Sequence, residues 1–231
     1  MKIALINGQN HKGSTYHIGR ALAEKLGGTD EISEVFLPRD MPNFCFGCTK
    51  CIMEDEKNCP HYSNMEPITK IIDSADVLIF TTPVYVYHAT GSMKALLDHY
   101  AYRWMVHRPE EKMFSKQAVC ISTAAGAGMK SACRDIKDSL FYWGVAKIYR
   151  YGIAVAASSW ETVADNKKAA IERKVTRLAK TISKKNGRVR PSIKTKIFFN
   201  IMRKVNKNPW NLTDGEYWKA KGWTEAKRPW N

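Results

Sequence analysis

No stretch of this chain approaches the roughly 18–20 uninterrupted apolar residues that a membrane-spanning helix needs. The opening, Met1 to Asn7, is too short for the apolar region of a secretory signal and runs straight into a polar glycine turn. It reads as a first strand, and a cytoplasmic protein is the expectation. Neither glycine signature of nucleotide binding is present in the loop that follows. There is no dinucleotide fingerprint, and no Walker loop, because Gly13 is followed by Ser14 rather than lysine. Internal repeats and low-complexity tracts are absent as well, which excludes solenoid and fibrous folds.

Acid is scarce in one region only. The 231 residues hold 37 basic and 22 acidic groups, for a net charge of +15. Residues 1–165 carry 18 of each, whereas residues 166–231 carry 19 basic and four acidic groups. The charge therefore belongs to the end of the chain. A basic end suggests an anionic partner: a membrane surface, nucleic acid or an acidic protein. No nucleic-acid-binding motif accompanies it, so nucleic acid is not expected.

What is present is an ordinary folding inventory. A hydrophobic content of 44%, with 11% aromatics, is enough for a real core and excludes wholesale disorder. Short apolar runs alternate with helical patterns. Strands are predicted at Lys2–Asn7, Ile32–Leu37, Asp76–Thr82, Gln117–Thr123 and Lys147–Val155. Between them helices are predicted at Ser14–Leu26, Met93–Trp104 and 129–143, with a long basic helix at Glu161–Lys185. Ile18, Leu22 and Leu26 recur at the spacing of one helical face. Such alternation predicts an α/β fold: a doubly wound, five-stranded parallel sheet of order 2-1-3-4-5 with helices on both faces. Ligands of such folds sit beyond the carboxyl ends of the strands, where the strand order reverses.

Three loops fall at that end. Gln9, Asn10, His11, Gly13, Ser14 and Thr15 join a strand to a helix, and offer hydroxyls and a helix N-terminus to a phosphate. Thr82, Pro83, Val84, Tyr85, Val86 and Tyr87 bring two tyrosines and a proline to the end of a buried strand, a flat surface for an aromatic ring system. Thr123, Ala124, Ala125, Gly126 and Gly128 are small enough to let a ring approach the backbone. Each loop alone is an ordinary turn; together they call for a flat, phosphate-bearing ligand. His88 lies beside them, in a position more common for packing or hydrogen bonding than for catalysis.

Residues 1 to about 180 resemble the NADPH-dependent FMN reductase branch of the flavodoxin-like flavoproteins. The matching segments are Ile6-Asn7-Gly8 with Gly13-Ser14-Thr15, Ala75-Asp76 leading to Thr82-Pro83-Val84-Tyr85, and Gly91-Ser92-Met93-Lys94-Ala95-Leu96-Leu97-Asp98. The resemblance implies that the 8–15 loop holds FMN phosphate, while 83–87 and 123–128 line the ribityl chain and the isoalloxazine. It also implies NAD(P)H as co-substrate and a homodimer or tetramer. Gln9, His11, Ser14, Ala124 and Ala125 depart from the residues common at these places in relatives.

The stretch from Pro38 to about Pro67 is too long and too polar to be a plain connector. It carries Cys45, Cys48, Cys51 and Cys59, at C-x2-C-x2-C-x7-C spacing. Four thiolates so placed suit an iron–sulfur cluster, a zinc ion or a set of reversibly oxidised thiols. The spacing is similar to that of the iron–sulfur flavoproteins, a subgroup of the same family, which implies a [4Fe–4S] cluster near the FMN. Cys120 and Cys133 read as core residues.

The expected division is a flavodoxin-like unit over 1–186, with the cysteine insertion at 38–67, and a basic, Trp-rich segment over 187–231. Within the latter, Ile193, Ile197, Ile201 and Val205 recur every fourth residue, and Trp210, Trp218, Trp223 and Trp230 follow. The segment is expected to pack on its own or a partner subunit, to lie on a membrane surface, or to dock an acidic, ferredoxin-like redox protein.

Overall fold

The computed structural model describes residues 1–231. Five parallel strands form one sheet: β1 (Ile3–Asn7), β2 (Ile32–Phe36), β3 (Val77–Pro83), β4 (Gln117–Ala124) and β5 (Lys147–Ala154). Their order is β2-β1-β3-β4-β5, as predicted. The chain leaves β1 toward one edge to form β2, then crosses to the other side for β3. The switch point therefore lies between β1 and β3, which pair directly from Ile3 with Val77 to Asn7 with Thr81.

Alternation along the strands sorts the core into two layers. Ala4, Ile6, Leu78 and Phe80 face helices α3 (Tyr62–Ser74), α4 (Gly91–His99) and α5 (Met129–Tyr142). Ile3, Leu5, Val77 and Ile79 face α1 (Ser14–Gly27) and α6 (Asp165–Lys185). Because both faces are covered, the central strands read as unbroken apolar runs rather than alternating ones. A third, smaller core gathers Met105, Phe114, Phe199, Trp218 and Trp223. It is built largely by α7 (Ile193–Val205) and α8 (Leu212–Ala220). Cys120 and Cys133 are both buried.

Three helix ends differ from expectation by more than one residue, and the insertion is not a plain loop. The helix predicted at Met93–Trp104 is Gly91–His99 followed by a single 3-10 turn, Ala101–Arg103. Thr90 starts it earlier by accepting a hydrogen bond from the Met93 amide at 3.2 Å. The helix predicted from Glu161 begins at Asp165, since Thr162 turns its hydroxyl back to the Ser159 carbonyl at 3.1 Å and holds a turn there. The 38–67 stretch carries structure of its own: α2 (Lys50–Met53), a 3-10 turn at Glu56–Asn58, and the start of α3. Pro67 lies inside α3 rather than at the edge of the insertion.

Candidate functional site

Four helices begin at the carboxyl end of the sheet, α1 after β1, α4 after β3, α5 after β4 and α6 after β5. The three next to the central strands have no acidic residue in their first turns, whereas α6, behind the edge strand, has Asp165 there. The first-turn amides of a helix have no intrahelical acceptor and carry the positive end of its dipole. The crevice between β1 and β3 is thus prepared for an anion.

The first loop is pinned from below. Gly8 donates its amide to the Thr81 carbonyl at 2.7 Å, and its own carbonyl accepts from the hydroxyls of Thr90 at 2.6 Å and Ser92 at 2.8 Å. A Cβ on Gly8 would lie 2.9 Å from the Thr81 oxygen, so glycine is required by contact rather than by φ. Above it, the side chains of Gln9 and His11 fold together at 3.0 Å and reach over Gly13, where a Cβ would meet them at 3.2 and 3.1 Å. Thr15 is buried and its hydroxyl lies 2.5 Å from that of Thr123, which ties the first loop to the third. Asn10 is exposed on the loop, and Ser14, half-buried, opens α1.

The second loop closes in a tight turn in which Tyr85 and His88 exchange backbone hydrogen bonds, each of 3.0 Å. Its central residues, Val86 and Tyr87, have φ of 47° and 66°. A β-branched residue in the left-handed region is a true outlier, and such strain gathers at functional sites. Tyr85 reaches back to Gln9 with its hydroxyl at 3.2 Å. Gly128, with φ of 96°, lets the third loop pass under this turn; a Cβ there would sit 2.6 Å from the Val84 side chain. Ala124, Ala125, Gly126 and the two tyrosines are at least partly exposed around the mouth. The donor set and the flat, small-residue walls fit a phosphate-bearing aromatic ligand.

Sequence reasoning missed the groups that hold these loops. Asp135, on α5, accepts from the Ala89 amide at 3.0 Å and pairs with His88 Nδ1 at 3.1 Å. That gives His88 a structural partner. Asn7 and Thr81 meet inside the sheet, the threonine hydroxyl donating to Asn7 Oδ1 at 2.9 Å. Thr90 and Ser92 could have been found from the Thr-Gly-Ser helix start; Asp135 carries no local signal.

The four cysteines of the insertion lie near enough for Cys51 to feel the charges of the other three, Cys45 and Cys48 being exposed and Cys51 and Cys59 half-buried. The Cys51 thiol is pushed up to about 11, first by burial and then by the neighbouring Cys59, Cys45 and Cys48. Burial also raises Cys59, against a hydrogen bond from the His61 amide. The Gly47 amide donates to Cys45 Sγ at 3.4 Å, and Gly47 and Thr49 both adopt positive φ to wind the turn. Cys51 and Cys59 are thus held as neutral thiols, and a bound cation would have to displace their protons. Next to Cys59 lies a buried pair, His61 Nδ1 and His99 Nε2, 2.9 Å apart. His99 gives its Nδ1 proton to the Ala95 carbonyl at 2.7 Å, and burial keeps the ring neutral. Its Nε2 must then accept from His61 Nδ1–H, so the pair is satisfied within the chain.

The turn carrying these thiols is held from far away in sequence. Arg108 donates to the carbonyls of Cys51 and Ile52, the latter at 2.9 Å. Asn211 donates to the same Ile52 carbonyl at 2.8 Å. Behind both stands Asp214 of α8, fully buried, 2.6 Å from Arg108 and 2.7 Å from His107. No pattern in the sequence announces this clamp.

Residues 1–161 match the profile of the NADPH-dependent FMN reductases. The chain belongs to that family. It is an FMN-dependent oxidoreductase by membership, and the carboxyl-end crevice is where the family's chemistry is sought. An iron-sulfur flavoprotein of Archaeoglobus fulgidus is 25% identical over 206 residues, covering 87% of this chain and 89% of its own length. A second iron-sulfur flavoprotein, from Methanocaldococcus jannaschii, is 32% identical over 99 residues, 42% of this chain and 50% of that protein. Among solved structures, the NAD(P)H:quinone oxidoreductase from Methanothermobacter marburgensis superimposes with a TM-score of 0.58 at 14% identity, over 78% of this chain and 96% of that one. An FMN-dependent NADH-azoreductase from Bacillus anthracis, in complex with FMN, gives 0.54 at 14% identity, over 78% of this chain and all of the other. These two structural likenesses establish the fold alone. No helix is long and apolar enough to cross a membrane.

Proposed function

We propose that the crevice between β1 and β3 holds FMN, and that the four-cysteine turn holds a [4Fe–4S] cluster beside it. The observation that carries the flavin site is the convergence of three helix N-termini, free of acidic residues, around one loop pinned by Gly8. The α1 terminus with Gln9, Asn10, His11, Ser14 and Thr15 would bind the phosphate; Pro83 to Tyr87 and Thr123 to Gly128 would flank the ring. FMN supplies the hydride and electron chemistry when bound, taking electrons from NAD(P)H and passing them on in pairs or singly. The chain's residues bind, orient and exclude water, and none is assigned a proton-transfer role. Tyr85 and Gln9, joined across the mouth, restrict access to the ring.

The cluster reading is supported by the spacing of the four thiols and by the names of the two iron-sulfur flavoprotein relatives. A quinone or a free flavin fits as acceptor. Anaerobically purified protein is expected to contain one FMN per chain, iron and acid-labile sulfide, and to oxidise NADPH or NADH with a soluble quinone. Cys59→Ser should lose the iron and keep the flavin; unchanged iron content would remove the cluster from the proposal. If neither nucleotide reduces the bound flavin while a reduced ferredoxin does, the protein is an electron carrier rather than a reductase.

A further inference from the structure

Helix α7 divides its side chains into two apolar faces, and only one of them is used. Phe199 is buried against Phe114, Trp218 and Trp223, with ring centroids 5.4, 4.8 and 5.4 Å away. Phe198 packs on Phe141 and Tyr142 of α5. The helix is therefore fixed to the body of the protein by its aromatic face. The other face carries Ile193, Ile197 and Ile201, exposed by 78, 58 and 50%, and then Val205. Four branched aliphatic side chains at every fourth position form a ridge about 18 Å long at 1.5 Å per residue. Trp210 and Leu212, further along the chain, are exposed as well.

The charge carried by this segment is all of one sign, and Glu216 and Glu225 come near Lys207 only past the helix end. From Asn186 to Thr213 there are seven basic residues and no acidic one. Lys194, Lys204 and Lys207 are exposed along α7 and just beyond its end. None of the seven takes part in an ion pair, whereas Lys221 and Lys227 further on both reach Glu111. Unpaired cations beside an unpartnered aliphatic ridge call for an occupant that is anionic and apolar at once. A second copy of this chain does not qualify, because pairing two such ridges would bring basic residues together with no acid between them. A concave, acidic groove on another protein would also take such a ridge, and the vesicle test separates it from a bilayer.

We propose that α7 is a surface anchor that lays the Ile193–Val205 ridge into the headgroup region of an anionic lipid bilayer, with the lysines at the phosphate level. Interfacial helices bind in this way, by apolar burial together with attraction to anionic lipid, and exposed tryptophan favours the same depth. An enzyme so held would meet lipid-dissolved acceptors from the side. The anchor stands on α7 alone and does not depend on the flavin or cluster assignments.

The test is flotation of the full-length, cofactor-loaded protein with two kinds of vesicle: phosphatidylcholine alone, and phosphatidylcholine mixed with phosphatidylglycerol. Partition into the anionic vesicles should exceed that into neutral ones by about tenfold or more at low salt, and fall as salt rises. Ile197→Gln with Ile201→Gln keeps the charge, touches only exposed positions, and should reduce partition by about tenfold. Lys194→Glu with Lys204→Glu should do the same by the other route. Circular dichroism and bound flavin, unchanged in both variants, will show that the fold is intact. Equal partition into the two vesicle types, or no loss in the glutamine variant, would overturn the proposal. So would a wild-type protein that stays in solution with both, which leaves an acidic protein as the partner. A halved sedimentation mass in the glutamine variant would instead identify a second copy as the occupant.

Discussion

The crevice between β1 and β3 and the cysteine turn lie in one chain but are held in different ways. The crevice is supported by the regular framework itself: Gly8 is gripped by Thr81, Thr90 and Ser92, residues at the ends of the neighbouring strand and helix. Its materials are backbone amides, hydroxyls and missing side chains. The cysteine turn has little regular structure and is held by a buried charge network, Arg108 with Asp214, that joins positions 106 residues apart. A site made from the framework of a fold needs only that framework. A site carried on an insertion needs a brace, and here the brace comes from near the chain's end.

The largest test of this contrast is Asp214→Ala. Removing one member of a buried ion pair strands the other, at a cost of about 3–5 kcal/mol. Thermal unfolding should register that loss, and metal uptake by the cysteine turn should fall while flavin stoichiometry at low temperature stays near one. Equal loss of both cofactors would erase the distinction. Gly8→Ala is the mirror experiment. Its Cβ forces the Thr81 carbonyl and Thr90 apart, for about 1–3 kcal/mol of overpacking. Flavin affinity should drop by about tenfold with iron content unchanged, measured by fluorescence titration of the apoprotein. Thr90→Val is milder; loss of the helix cap costs about 1 kcal/mol, with a few-fold weaker flavin binding.

A fourth prediction concerns neither site and sets the baseline. Lys116 is buried, and its ammonium donates to the carbonyls of Ile72, Asp73 and Ala75 at the end of α3. Burial lowers it to about 8, from an ordinary value of 10.5. Between those two pH values the unfolded chain binds more protons than the folded one, so this group's contribution to stability rises with pH. Urea melts of wild type and Lys116→Met should therefore diverge in favour of wild type from pH 8 to 10. Parallel curves would show that the lysine titrates as it does in the unfolded chain.

The framework was legible because its signals are local. Apolar runs marked the strands, and Gly13-Ser14-Thr15, Pro83-Val84-Tyr85 and Gly126 to Gly128 marked the loops between them. The four cysteines were legible by spacing. The braces were not, because Asp135, Asp214 and Arg108 act across long separations and an isolated acid or arginine looks like any solvated charge. The amphipathic pattern of α7 was visible too, but not which face turns inward. Phe198 and Phe199 carry more area than the isoleucines and find aromatic partners, so they turn inward and the regular aliphatic repeat is left outside.

The position of Asp214 also has a bearing on time. A chain emerging from the ribosome completes all five strands well before residue 214 is available. The crevice can take shape while the last helices are still being made. The cysteine turn cannot be clamped until α8 has emerged and docked. Maturation of the two sites is thereby ordered by the genetic message itself: the crevice comes first, and the thiols are presented in their final form only after α8 has been made.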